Sequence, residues 1–183
     1  DPPFFVLATQ NPIEQEGTNP LPEDQLDRFL LHVRISYPDA ESERKILRLT
    51  RAEARAAEAS PAPHLSQEQV FEARAQALAL HMADSVEEYI VQLIMASRDP
   101  APYSAALASW LDYGASPRAT IALDRCARAH AWLRGRDFVS PDDVQAVAPD
   151  VLRHRLLLSF EAEASGVGSD TIVDELLGLV HAA

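Results

Sequence analysis

Three polar residues stand where they could handle an anion. Arg118 follows Ser116-Pro117, a clear helix start with serine as N-cap and proline at the first helical position. A cation in the first turn of a helix is disfavoured by the helix dipole. The same helix end carries free N–H groups that attract an anion. An arginine there makes sense if a phosphate sits between the two, or if a nearby carboxylate pairs with it on the surface. Arg28 follows Asp27, so it reads either as a free charge for chemistry or as half of a local ion pair at a helix end. Asn11 closes the apolar run of residues 4–8, after Thr9 and Gln10 and before Pro12. In open α/β sheets, ligands sit at the carboxyl ends of strands, so Asn11 is placed for a ligand, or is a turn residue ahead of Pro12.

Other candidates read as structural. Glu14 and Glu16 lie in a Pro/Gly/Asn-rich loop and read as solvated acids. Asp174-Glu175 continues into Leu176-Leu177 on an amphipathic helix and reads as a solvated face, not a metal site. Arg153 and Arg155 read as members of structural ion pairs. The lone Cys126 sits in an apolar helical stretch and reads as a small buried hydrophobe. The six histidines are too dispersed for metal-ligand spacing. Trp110 and Tyr113 read as core or loop anchors.

These residues need a scaffold. Residues 4–8 read as a strand apolar on both faces, as in the middle of a parallel sheet. Residues 30–35 alternate, with Leu31, Val33 and Ile35 on one face and His32 and Arg34 on the other, as in a strand nearer a sheet edge. A short helix is expected around residues 23–28. Beyond Tyr37-Pro38 the pattern is helical. Helices are expected over about 39–59, 66–77, 84–98, 116–133 and 169–179, with a short one from Ser140-Pro141 and a further turn over 149–155. Ser66 and Gln69 form a capping box. Residues 78–82 could hold a short extended piece, and 60–64 form a breaker. The expected fold is mainly α: two strands of an α/β core in a first domain, residues 1–38, then a helical bundle over residues 39–183.

Taken together, the motifs resemble one family. Residues 8–29 run ATQNPxExEGTxxLPExQLDRF, and residues 114–119 run Gly-Ala-Ser-Pro-Arg-Ala. In order and spacing these resemble the MoxR family of AAA+ ATPases, and the resemblance covers essentially the whole chain. It implies that Asn11 is sensor 1, holding the attacking water or the γ-phosphate. Arg28 would be the arginine finger offered to a neighbouring subunit's nucleotide, and Arg118 the sensor 2 arginine. It further implies ATP and Mg2+ as cofactors, a ring, expected to be a hexamer, and chaperone-like remodelling or maturation of client proteins, often ones with von Willebrand factor A domains.

The sequence departs from the family at one point. A phosphate-cradling loop needs GxxxxGK[ST], yet the single lysine, Lys45, lies between Arg44 and Ile46. The acidic pair that would hold magnesium is also absent. The chain is therefore expected to begin after those elements, to be inactive alone, and to pair its two strands between chains or fold them back irregularly. The alternatives are a magnesium-chelatase-like subunit and a helical interaction module without catalysis. A net charge of −12 argues against nonspecific nucleic-acid binding. No run approaches the roughly 20 apolar residues of a membrane span, and a cytoplasmic setting is expected.

Overall fold

The computed structural model describes residues 5–10, 21–55 and 65–182. Nine helices and four very short strands occur among them. In chain order the helices are α1 (Glu23–Leu26), α2 (Ala40–Glu53), α3 (Gln67–Ala79), α4 (Asp84–Arg98), α5 (Ala105–Trp110), α6 (Pro117–Leu133), α7 (Pro141–Leu152), α8 (Phe160–Ala164) and α9 (Ser169–Leu179). Strand β1 (His81–Met82) pairs in parallel with β3 (Phe138–Val139), and β2 (Leu111–Tyr113) pairs antiparallel with β4 (Leu157–Leu158).

The core belongs to α4, α6, α7 and α9. In α4, Val86, Tyr89, Ile90, Leu93, Ile94 and Ser97 are buried, the i, i+3, i+4, i+7 stripe of a one-sided helix. Helix α6 is central, packing on α7, α3 and α4. Its buried face is mostly small: Ala119, Ala122, Leu123, Cys126, Ala127 and Ala131. Such a face lets neighbouring backbones come close. Ile121 and Leu133 lie outside it, 52% and 76% exposed, so α6 is less apolar around its circumference than its composition suggests. Helix α7 runs through Pro149 to Leu152, so the first part of the turn expected over 149–155 belongs to the helix and residues 153–155 form the turn. Short α5, α8, β2, β3 and β4 were not expected, whereas β1 falls within the extended piece expected over 78–82.

The two strands expected over residues 4–8 and 30–35 are a correction. Residues 5–10 and 31–39 have no regular secondary structure. A strand needs a hydrogen-bonded neighbour, and no described segment forms a ladder with either. Instead, the second segment is tied to the helical body: the His32 amide donates to the Asp150 carbonyl at 2.8 Å, and Arg153 donates to the His32 carbonyl. Phe5, Leu7, Ile35 and Tyr37 are all more than 75% exposed. Helix α2 buries none of its residues, leaving Ile46, Leu47 and Leu49 at its surface.

Candidate functional site

The site begins with the start of α6. Ser116 caps the helix, its Oγ accepting from the Arg118 amide at 3.2 Å. The residues before it are fixed by close backbone contact with the end of α4. A Cβ on Gly114 would lie 2.3 Å from the Ser97 carbonyl oxygen and 2.6 Å from the Arg98 nitrogen, so only glycine fits. The Ala115 amide donates to Ser97 Oγ at 3.1 Å, and Arg98 Nε donates to the Ala115 carbonyl at 2.8 Å. The Gly-Ala-Ser-Pro-Arg stretch is thereby locked to α4, and with it the position of Arg118.

The second half of the site is the turn after α1, which carries Asp27 and Arg28. The Asp27 carboxylate collects three donors from far along the chain. Ser116 Oγ donates to both oxygens at 3.0 and 2.9 Å, Arg118 Nη1 donates at 3.1 Å, and Arg155 Nε donates at 3.1 Å. Burial alone would raise the Asp27 carboxyl. The hydrogen bonds from Ser116 and Arg118 and the charge of Arg155 outweigh it and hold the group below its ordinary value.

The two arginines on this carboxylate are held very differently. The Arg155 side chain is 2% exposed and also donates to the carbonyls of Asp27, Phe29, Leu30 and Val151. It staples the turn to the end of α7. The Arg118 side chain is 56% exposed, and its only described side-chain partner is Asp27. Arg28, next in sequence, is exposed and makes no ion pair among the described residues. The local Asp27–Arg28 pair therefore does not form; Asp27 is engaged by cations 91 and 128 positions away. Asn11, with Glu14 and Glu16, lies outside the described residues.

Beside the turn is a cleft of about 260 Å³, walled in part by Leu26, His32, Arg153 and His154. The rings of His32 and His154 meet edge-to-face, centroids 5.8 Å apart. His154 Nε2 donates to the Phe29 carbonyl at 3.1 Å, leaving Nδ1 as the bare nitrogen of a neutral ring. Burial, then the Arg155 charge, pushes His154 down to about 4. Burial and Arg153 lower His32 as well. Arg153 itself bridges Asp150 and Asp170. The structural reading of Arg153 and Arg155 thus agrees with the geometry, but the meeting of Arg155 and Arg118 on Asp27 does not follow from the sequence reading. The available signal was the carboxylate of Leu26-Asp27-Arg28-Phe29, whose partners are Arg155 in Val151-Leu152-Arg153-His154-Arg155 and Arg118 at the start of α6.

The donor set fits part of a nucleotide. Arg118 is an exposed cation at a helix N-terminus, suited to a phosphate oxygen. Magnesium is different: no group of three or more His, Cys, Asp or Glu among the described residues could hold a metal ion. No helix among them is long and apolar enough to cross a membrane.

Residues 105–176 match the AAA lid domain, and residues 1–31 match the ATPase family associated with various cellular activities. Fold and site together define a segment of an AAA+ ATPase with its helical lid. Chaperone MoxR1 of Mycobacterium tuberculosis is 40% identical over 97% of this chain and 46% of its own length. The uncharacterised protein YeaC of Bacillus subtilis is 39% identical over 97% of the chain and 52% of its own. A crystal structure of a candidate ATPase from Cytophaga hutchinsonii superposes with a TM-score of 0.92 at 42% identity, covering all of this chain and 55% of that one. Plant magnesium-chelatase subunits match over only 21% of the chain. The chain belongs to the MoxR family of AAA+ ATPases, and it spans about half the length of the curated relatives it matches.

Proposed function

We propose that this chain supplies the phosphate-sensing and finger arginines of a cytoplasmic ring ATPase that works on client proteins. The observation that carries this reading is the convergence of Ser116, Arg118 and Arg155 on Asp27, which brings Arg118 beside the turn that bears Arg28. Two exposed arginines from distant motifs are then linked, Arg118 directly to Asp27 and Arg28 as the next residue of the same turn. Such a pair suits one phosphate group at a boundary between subunits.

In this reading Arg28 neutralises charge that develops on the transferred phosphoryl group, a role that can be worth about 10³–10⁵ in rate. Arg118 grips a phosphate oxygen, and Asn11 orients the attacking water. In this reading the lid, residues 39–183, carries Arg118, and the segment over residues 1–38 carries Asn11 and Arg28. ATP and Mg2+, when bound, supply the scissile phosphoanhydride and the neutralisation of its charge; their main cradle belongs to the rest of the intact protein. The sequence of this chain contains no phosphate-binding loop, so the chain alone is expected to be without hydrolysis. Work on client proteins is supported by the likeness to a relative named a chaperone; clients with von Willebrand factor A domains and a hexameric ring are further parts of the same proposal.

The test is binding of a fluorescent ATP analogue to the intact protein. Arg118→Ala should weaken it at least about tenfold, the loss of a charge-assisted hydrogen bond. Unchanged binding would remove Arg118 from the nucleotide site.

A further inference from the structure

The geometry points to Asp27 as an internal counter-anion that holds Arg118 while no phosphate is present and gives it up when one arrives. This rests on the sensor reading of Arg118 and deepens it. The argument is the asymmetry of the two arginines on one carboxylate. Arg155 is buried, and its five acceptors fix it to both the turn and α7. It cannot leave without stranding a buried charge. Arg118 is more than half exposed and, among the described residues, meets Asp27 through one nitrogen at 3.1 Å. An exposed pair of that kind is weakly held.

The carboxylate is also equipped to lose Arg118. Ser116 Oγ reaches both of its oxygens and Arg155 Nε reaches one, so a hydroxyl and a cation remain when Arg118 departs. A polyphosphate offers Arg118 more charge than a single carboxylate does. Arg118 therefore exchanges between two anions: Asp27 in the nucleotide-free state and a phosphate in the bound state. Because Asp27 adjoins Arg28 and is clamped to the lid by Arg155, the exchange is felt at the finger turn. Asp27 is then a positioning residue, acting on nucleotide through Arg118.

The experiment is a double-mutant cycle in the intact protein, read by affinity for a fluorescent ATP analogue. Asp27→Asn keeps the shape and an acceptor oxygen but removes the competing charge. It should tighten binding about two- to five-fold, the range set by an exposed ion pair. In an Arg118→Ala background the same substitution should have no effect. Tightening that persists there, or weaker or unchanged binding by a folded Asp27→Asn protein, overturns the proposal while leaving the sensor role intact. Normal binding by Arg118→Ala alone overturns the sensor role instead.

A structure of the wild-type ring with ATPγS answers the same question without any variant, should Asp27→Asn fail to fold. The expected result is Arg118 on a phosphate oxygen and off Asp27, with Arg155 still in place. Arg118 on Asp27 in a nucleotide-filled ring would refute the exchange.

Discussion

Replacing Gly114 with alanine should damage this protein, while replacing Gly178 with alanine should not. Neither glycine has a positive φ, so backbone strain does not distinguish them. Space does. A Cβ at position 114 would stand 2.3 Å from the Ser97 oxygen, 2.5 Å from the Ser97 carbonyl carbon and 2.6 Å from the Arg98 nitrogen. All three are backbone atoms of α4 and cannot turn aside as a side-chain tip would. Overpacking a rigid site costs about 1–3 kcal/mol, and Gly114→Ala belongs at the upper end. For a chain of this size about 3 kcal/mol lowers Tm by roughly 6–12 °C. Gly178 lies in the last turn of α9 with no atom within 4 Å of its would-be Cβ. Alanine there should be neutral or stabilising by up to about 1 kcal/mol. Thermal melts followed by circular dichroism at 222 nm compare the two. A Gly114→Ala protein as stable as wild type, or less affected than Gly178→Ala, would refute the claim that backbone contact with α4 sets the start of α6.

Other outcomes follow from the same network. Arg155→Met should destabilise the fold by about 2–4 kcal/mol in urea titration, since it removes the buried donor shared by Asp27 and four backbone carbonyls; a loss below about 0.5 kcal/mol would mean the staple is ornamental. Stability should also fall on acidification from pH 6.5 toward 4. His154 is lowered from 6.5 to about 4, so the fold holds it neutral, and its contribution is complete above 6.5 and lost as pH drops through that window. The full displacement corresponds to about 3 kcal/mol, cut by partial exposure to on the order of 1–2 kcal/mol. His154→Phe should flatten Tm against pH in that range, and an unchanged profile would contradict the assignment. Below the ordinary carboxylate range a further loss is expected from Asp27, Asp143 and Asp170, all of which are lowered. Cys126, pushed up to about 11 mainly by burial, should resist a thiol reagent at pH 8 until the protein is unfolded.

The long helices were legible because their signals are local. Ser116-Pro117 and Ser140-Pro141 mark helix starts on their own, and the apolar stripe of α4 declares its buried face. The brief elements were not. Apart from β1, which falls within the extended piece anticipated over residues 78–82, the two-residue strands β3 and β4 arise where helices bring chain segments together, not from any alternation of their own. The expected strands over residues 4–8 and 30–35 show the converse limit: their apolar patterns are real, but a pattern forms a strand only with a neighbour to pair with. At the site, the sequence marked Arg118 and Arg28 separately. What joins them is Asp27, and its partners lie 89, 91 and 128 positions away. Separations of that kind leave no periodicity to read.

The central claim is tested most directly by the ATPase rate of the intact protein as its concentration is raised. A finger supplied by a neighbour predicts specific activity that climbs cooperatively with concentration as rings assemble. It also predicts that Arg28→Ala, still assembling, loses about a thousandfold or more in rate. Activity independent of concentration, or an Arg28→Ala ring as fast as wild type, would contradict it.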